Sequence, residues 1–452
     1  MIKIQDMDFK TFNMAVPRYT SYPTVPYWRD EEFRMEGYAK SIVNAYSESS
    51  REVSIYIHLP FCESLCTYCA CNTRITKNHE VELPYIGYVL KEWKMYVAQF
   101  PDEPVIKEIH LGGGTPTFFS SKNLGTLLEG ILKQGKIAAD PQFSFEGHPA
   151  NTTTEHLKVL RSFGFSRVSF GIQDFDFDVQ KLINRMQSYD QVKAVTEKAR
   201  ALGYTSVNYD MVYGLPGQTL DSVKETLDKV LTLKPERIAY YSYAHVPKLK
   251  PAQKSFEHRL PMTVDKYRFS LLGKQAFLNA GYLEVGMDHY VRPEDELLKA
   301  QEQGELHRNF MGYTPFTSKL LVGLGVSAIS DSWSGFAQNE KTISTYYKRL
   351  DQNELPIMRG HLHSADDLFL RKHILNLMCN FQTKWLPEEF MRFGLNFNHE
   401  LISQLVYKGD IQFDEYGLQV SEKGRENIRI ICSALDRDFR PAENKVQFSK
   451  SI

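Results

Sequence analysis

The sequence predicts an α/β protein: a full or partial (β/α) barrel with an N-terminal arm and a mainly helical C-terminal domain. Three observations carry that prediction. Short apolar runs rich in β-branched and aromatic residues alternate with helix-length amphipathic stretches from about residue 50 to 290, the pattern of parallel strands joined by right-handed helical crossovers. No dinucleotide fingerprint opens the first turn, so six or seven such units fit a barrel better than a doubly wound sheet. A group of cysteines follows the first strand directly, and barrels of this kind place their chemistry at the C-terminal ends of the strands.

The 452 residues exceed the size at which one core stops growing. The chain divides into an arm over residues 1–50, a barrel core over 51–300, a glycine-punctuated extension over 301–364 and a helical unit over 365–452. The arm is rich in proline and aromatics between Val16 and Trp28. Pro17, Pro23 and Pro26 each lack an amide donor and restrict their neighbours, so no continuous helix runs there. The arm reads as packed on the surface or as folded over the site.

Candidate strands follow at Val53–His58, Val105–Leu111, Gln142–Glu146, Arg167–Ile172, Ser206–Val212, Arg237–Ala244 and Leu283–Asp288. Helical patterns lie between them at Tyr88–Phe100, Leu124–Gln134, Glu155–Phe163, Ser188–Leu202 and Leu220–Leu233. Leu306–Tyr313 and Leu321–Ser330 read as glycine-punctuated loops. In the C-terminal unit, Asp410–Val420 has the pattern of a hairpin between helices, as in a winged helix. That unit has no basic footprint for DNA, with 12 Lys and Arg against 13 Asp and Glu from Asp366 to Ile452. A lid or packing role suits it better.

The chemistry concentrates in Ile55–Asn72, I-Y-I-H-L-P-F-C-E-S-L-C-T-Y-C-A-C-N. Cys62, Cys66 and Cys69 stand in C-x3-C-x2-C spacing and Cys71 follows two residues on. Thiolates are soft ligands, and a packed group of them in a reducing compartment points to a metal or iron–sulfur site. Most cubanes take four thiolates, one per iron, so three would leave one iron open to a small molecule. A structural zinc held by four cysteines, or by three with His58, is the rival reading. Zinc knuckles come as separated pairs and C-x-C is a tight bite for a tetrahedral ion, so the spacing favours the cluster.

Other polar residues fall at the same strand ends. Gly112-Gly113-Gly114-Thr115-Pro116 follows the second strand, and such a run either makes a tight turn or lets backbone N–H groups approach a ligand. Glu146, Gln173, Asp174, Asp210 and the pair Ala244-His245 lie at or near the ends of later strands.

Composition removes several classes. With 54 basic and 55 acidic residues, no global field recruits nucleic acid or an anionic membrane. Six cysteines, four of them in one cluster with Cys379 and Cys432 alone, are not a disulfide framework. The N-terminal ten residues mix charges without an apolar signal core, and nothing approaches a membrane-length apolar run. The expectation is a soluble cytoplasmic protein.

Taken together, these motifs resemble the radical S-adenosylmethionine (SAM) enzymes, and among them the oxygen-independent coproporphyrinogen III oxidases. The resemblance covers nearly the whole chain. It rests on P-R-Y-T-S-Y-P-T (Pro17–Thr24), the cysteine loop, H-L-G-G-G-T-P-T (His110–Thr117) and G-I-Q-D-F (Gly171–Phe175). D-M-V-Y-G-L-P (Asp210–Pro216), G-M-D-H (Gly286–His289) and L-H-R-N-F-x-G-Y (Leu306–Tyr313) complete it. Related haem chaperones share the cysteine motif but lack the arm and usually carry an aromatic where Cys71 stands. A haem-binding chaperone or a haem-modifying radical SAM paralogue is the alternative.

The resemblance implies a barrel of the radical SAM type, in haem biosynthesis, converting two propionates of coproporphyrinogen III to vinyl groups. A 5′-deoxyadenosyl radical would take hydrogen from the propionate β-carbon before CO2 and an electron leave. Cys62, Cys66 and Cys69 would ligate a [4Fe–4S] cluster. Two SAM molecules would be contacted by Tyr56, Tyr68, Gly113, Gly114, Thr115, Glu146, Gln173, Arg185, Asp210, Ala244 and Ile329. Tyr56 and His58 are candidates for a catalytic role. A substrate with four carboxylates needs cations, for which Arg18, His289 and Arg308 are candidates along with His58. An electron donor such as flavodoxin or ferredoxin and a monomeric enzyme are further implications. The chain departs from the family pattern twice: Met311 stands where many members carry glutamine, and Glu146-Gly147-His148-Pro149 replaces Glu-Val-Asp/Asn-Pro.

Overall fold

The computed structural model describes residues 14–439 and 448–450; residues 1–13 of the arm and 440–447 and 451–452 of the C-terminal unit lie outside the described residues. Strand β1 (Glu52–Leu59) leads into a loop containing two short strands, β2 (Phe61–Cys62) and β3 (Arg74–Ile75), which pair in parallel. Strands β4 (Val105–Gly113), β5 (Lys136–Gly147), β6 (Arg167–Gln173), β7 (Ser206–Tyr213) and β8 (Arg237–Ser242) then add to β1 one after another, all parallel. The intervening helices are built as their sequences require. In Leu220–Leu233, Val223, Leu227, Val230 and Leu233 are buried at helical spacing. Ser188 opens Tyr189–Ala201 with a reciprocal cap, its hydroxyl accepting from the Gln191 amide and its own amide donating to the Gln191 side chain.

Two expectations need correction. The run Leu283–Asp288 is not a seventh parallel strand. Its first half is β9 (Leu283–Val285), and the chain then reverses into β10 (His289–Val291), an antiparallel hairpin at the sheet edge beside β8. Gly286 and Asp288 take φ of 55° and 65° and reverse the chain there, and a Cβ on Gly286 would lie 2.3 Å from the Tyr313 ring. The stretches read as loops are also strands. β11 (His307–Asn309) and β12 (Gly312–Thr314) form a separate hairpin, and β13 (Leu321–Leu324) is the true seventh parallel strand, docked on β1 opposite β4. Strands β14 (Ile329–Asp331), β15 (Gly335–Asn339) and β16 (Ile357–Leu362) continue antiparallel. The order is β16-β15-β14-β13-β1-β4-β5-β6-β7-β8-β10-β9, a twelve-stranded sheet that ends on β16 and β9 without closing. The glycines misled because they serve packing: a Cβ on Gly323 would lie 2.5 Å from the Ile329 carbonyl oxygen.

Glu92, fully buried on helix Glu82–Val97, ties this added strand down. It accepts from the Gly325 amide at 2.8 Å, Asn339 at 2.6 Å and the Tyr346 hydroxyl at 2.6 Å. Burial lifts its carboxyl to about 7 against these donors. Glu92→Ala strands three buried donors and is expected to lower stability by roughly 2–4 kcal/mol, read as a shift in denaturant midpoint.

The C-terminal part carries helices Ala365–Asn380, His399–Tyr407 and Ile428–Leu435 and a three-stranded sheet. Strand β17 (Gln382–Lys384) extends the expected hairpin of β18 (Ile411–Asp414) and β19 (Gly417–Val420) in the order β17-β19-β18. Its apolar cluster includes Val16, Tyr19 and Tyr22 of the arm. Arg429 holds that arm by donating to the carbonyls of Val16, Pro17 and Ser449. Among the described residues no helix is long and apolar enough to cross a membrane.

Candidate active site

The cysteine loop is clamped on both sides. At its start, Phe61 packs against Tyr85, Phe118 and Phe119. The glycine run after β4 crosses it there, with Gly114 donating to Leu59 at 2.8 Å and Thr115 to Phe61 at 3.0 Å. The approach is so close that a Cβ on Gly114 would lie 2.6 Å from the Pro60 carbonyl oxygen. On the other side Thr67 donates to the Ile183 and Leu182 carbonyls, and Asn184 donates to Leu65 at 2.8 Å. Gly114→Ala must push backbone against backbone, so its iron content after anaerobic reconstitution is expected to fall by half or more.

Clamped this way, Cys62, Cys66, Cys69 and Cys71 all line one cavity of about 380 Å³ at the C-terminal ends of the strands. All four thiols are unpaired by disulfide. Donors surround the sulfurs: Thr115 lies 3.4 Å from Cys62 Sγ, Arg185 Nη1 3.6 Å from Cys66 Sγ, and the Cys71 amide 3.4 Å from Cys69 Sγ. The contact with Cys71 holds the Cys69 thiol below its ordinary value, whereas burial pushes Cys62 up to about 11. Three soft thiols on one wall, each free to take its own iron, fit a [4Fe–4S] cluster.

Of the other expected contacts, Tyr68, Gly113, Gly114, Thr115, Glu146, Gln173, Arg185 and Asp210 all border this cavity. Glu146 accepts from the Gly113 amide at 3.3 Å and lies 3.5 Å from His110. Desolvation raises its carboxyl, but these partners outweigh it and leave it below the usual range. Asp210 accepts from Ser169 at 2.6 Å and Asn208 at 2.9 Å, and burial still lifts it to about 6. Gln173 has a φ of 63°, rare for a residue with a side chain. Its amide and the Arg185 guanidinium both fold across Gly171, where a Cβ would lie 2.7 Å from one and 2.8 Å from the other. Arg185 Nη2 donates to the Gly171 carbonyl at 2.7 Å.

Tyr56, His58, Ala244 and Ile329 do not line this cavity. The His58 Nε2 donates to the Asn72 carbonyl at 2.9 Å, so its Nδ1 accepts from the Tyr56 hydroxyl at 3.0 Å. Burial keeps that ring neutral, and the pair braces the end of the cysteine loop from behind. Sequence reasoning missed Gln253, fully buried, whose amide donates to the carbonyls of Tyr68 at 3.1 Å and Ala244 at 3.3 Å. It stitches the cysteine loop to the segment after β8, and nothing in its surroundings P-A-Q-K marks it. His148, one of the departures, lines the cavity with its Nδ1 accepting from the Ala150 amide at 3.2 Å. Met311 lies instead on a neighbouring cavity of about 240 Å³ that shares Glu146, Ser169 and Asp210 with the first.

Similarity to known proteins covers the same ground. The family described as the Radical SAM superfamily matches residues 56–230. The chain is 36% identical to the oxygen-independent coproporphyrinogen III oxidase of Pseudomonas aeruginosa, across 98% of this chain and 97% of that one. It is 36% identical to the protein of that name from Escherichia coli K12 over the full length of both. A solved structure described as "Coproporphyrinogen III oxidase (HemN) from Escherichia coli is a Radical SAM enzyme" superposes with a TM-score of 0.87 at 33% identity. It covers 94% of this chain and all of that one.

Proposed function

The chain belongs to the oxygen-independent coproporphyrinogen III oxidases of the radical SAM superfamily, and we propose that its strand-end cavity is where two propionates of coproporphyrinogen III become vinyl groups. The observation that carries this assignment is that Cys62, Cys66 and Cys69 share one cavity with Glu146, Arg185 and Asp210. The three cysteines are the residues that would hold the [4Fe–4S] cluster. When bound, the cluster and SAM would supply the 5′-deoxyadenosyl radical that takes hydrogen from the propionate β-carbon, and the substrate would lose CO2 and pass one electron to an external acceptor.

The chain's own residues bind and orient. Gly113 and Gly114 admit ligand atoms close to the backbone, and Arg185 offers a two-pronged partner to a carboxylate. Asp210, when ionised, accepts from ribose hydroxyls. Because burial lifts it to about 6, that acceptor is present above this pH and is lost below it. A second SAM would lie toward Met311, held by dispersion from the thioether where an amide would hydrogen-bond. Tyr56, Ala244 and Ile329 would then serve from the rim or from behind.

The reading extends to organisation. The arm, the barrel core over 51–300, the extension to 364 and the helical unit act as one monomeric cytoplasmic enzyme, fed electrons by a flavodoxin or ferredoxin. Anaerobic incubation of the reconstituted protein with SAM, a reductant and coproporphyrinogen III is expected to give protoporphyrinogen IX. SAM cleavage with the tetrapyrrole unchanged would refute the assignment. Equilibrium dialysis is expected to approach two SAM per chain, and a plateau at one would remove the second site.

A further inference from the structure

A charge taken into a protein interior is costly unless it is paired, so buried arginines nearly always meet an anion or several carbonyls. Arg371 meets Asp331 at 2.6 Å and 3.0 Å. Arg308 has no such partner. It is only 6% exposed, its Nε reaches neither solvent nor an acceptor, and among the described residues no carboxylate or carbonyl pairs with it. Its guanidinium lies over the Tyr313 ring, 4.6 Å from the centroid.

The groups around it do not neutralise it. Tyr313 is committed, its hydroxyl donating to Met378 at 3.0 Å and accepting from the Met287 amide at 2.8 Å. Burial holds the nearby Cys379 thiol protonated, pushed up to about 12. His289 donates through Nδ1 to the Met287 carbonyl at 2.9 Å, and its Nε2 lies 3.4 Å from the Tyr241 hydroxyl. Burial, with Arg308 adding to it, keeps His289 near 4 and therefore neutral. Of the other candidates, His58 is committed to Asn72 and Tyr56, and Arg18 is already bound to Asp288 at 2.7 Å and lies over Tyr241. Tyr241, His289, Met311 and Tyr313 line the cavity that shares Asp210 and Glu146 with the cysteine cavity; Arg308 is not itself in that lining and meets it through Tyr313, over whose ring it lies.

We propose that Arg308 is the carboxylate anchor of the substrate, its open guanidinium beside Tyr313 taking one propionate while Arg18 stays engaged with Asp288. The anchor rests on the functional reading above and narrows it: of the four candidate cations, Arg308 is the charged one with no anionic partner. A stacked guanidinium holds its fork in place for a planar carboxylate, which a lysine does not reproduce. Its cost is an unpaired charge in the free protein, a burden that a residue kept for ligand binding carries and a structural residue does not.

The test compares the wild type with Arg308→Gln and Arg308→Lys in anaerobic turnover, with KM for coproporphyrinogen III, KM for SAM and Tm measured on each preparation. Arg308→Gln is expected to raise KM for the tetrapyrrole at least about tenfold, the loss of one charged hydrogen-bond pair, with lysine between. KM for SAM and Tm stay level, or Tm rises. Binding of coproporphyrin III tetramethyl ester, which has no carboxylates, should not distinguish glutamine from arginine. An unchanged tetrapyrrole KM, or a fall in Tm with normal KM, overturns the proposal and makes Arg308 a structural strut. A shift confined to KM for SAM also overturns it and assigns the carboxylate to the cofactor. Should the glutamine variant fail to fold, the lysine variant carries the same comparison. A wild type that does not convert coproporphyrinogen III overturns the enzyme reading on which the anchor depends.

Discussion

Serine at Cys62, Cys66 or Cys69 abolishes the iron–sulfur absorbance and reductive SAM cleavage together, and turnover drops at least about a thousandfold. The hydroxyl is a hard, weakly acidic ligand in place of a soft thiolate, and a cluster that takes one thiolate from each of the three loses an iron ligand with any one of them. Cys71 also borders the cavity, but its amide already serves Cys69 and its carbonyl accepts from Lys250 at 2.7 Å. Both are backbone contacts that serine keeps, so Cys71→Ser is expected to retain cluster iron. Iron and sulfide analysis of the four variants after anaerobic reconstitution checks this. Loss of iron in Cys71→Ser with retention in one of the other three would reverse the ligand assignment.

Removing residues 1–24 is expected to eliminate coproporphyrinogen turnover, leave cluster iron and SAM cleavage in the folded fraction, and lower Tm by several degrees. The arm is less a loose cover than part of the C-terminal core. Val16, Tyr19 and Tyr22 are buried there, and the Tyr19 hydroxyl donates to Asp436 at 3.0 Å. At roughly 1.5–3 kcal/mol per buried large apolar side chain, their loss destabilises the helical unit. Arg18 meanwhile ties the arm to Asp288, in the turn between β9 and β10. Burial lifts Asp436 to about 7. A raised carboxyl favours the fold in its protonated form, so its contribution is full below about 4 and fades as pH climbs through about 7. Asp436→Asn should flatten that part of the pH dependence of Tm. If the truncated protein keeps normal specific activity in its folded fraction, the arm is a brace alone.

How much of this was legible in the sequence depended on whether a residue's reason was local. Helix Leu220–Leu233 matched its pattern end to end because spacing and cap are both local signals. The parallel strands β1 and β4 to β8 were legible for the same reason. Strand β13 was not: Gly323 and Gly325 look like loop residues until the Ile329 carbonyl and Tyr85 hydroxyl stand against them. Leu283–Asp288 failed in the opposite sense, since the alternation of Leu283, Val285 and Met287 with other residues looks like one strand and concealed a reversal at Gly286. In the site, the cysteines and the glycine run announced themselves by type and spacing. Gln253 and the open valence of Arg308 are properties of what surrounds a side chain, which one residue's identity does not reveal.

A radical formed beside Cys62, Cys66 and Cys69 is expected to remove hydrogen from the propionate β-carbon of a tetrapyrrole held in the adjoining cavity. The most direct test is a single-turnover reaction under anaerobic conditions with coproporphyrinogen III deuterated at the propionate β-carbons. The account predicts 5′-deoxyadenosine carrying deuterium, formed in step with CO2 and a vinyl product. Undeuterated 5′-deoxyadenosine accompanying vinyl product, or deuterium transfer without loss of CO2, would contradict it.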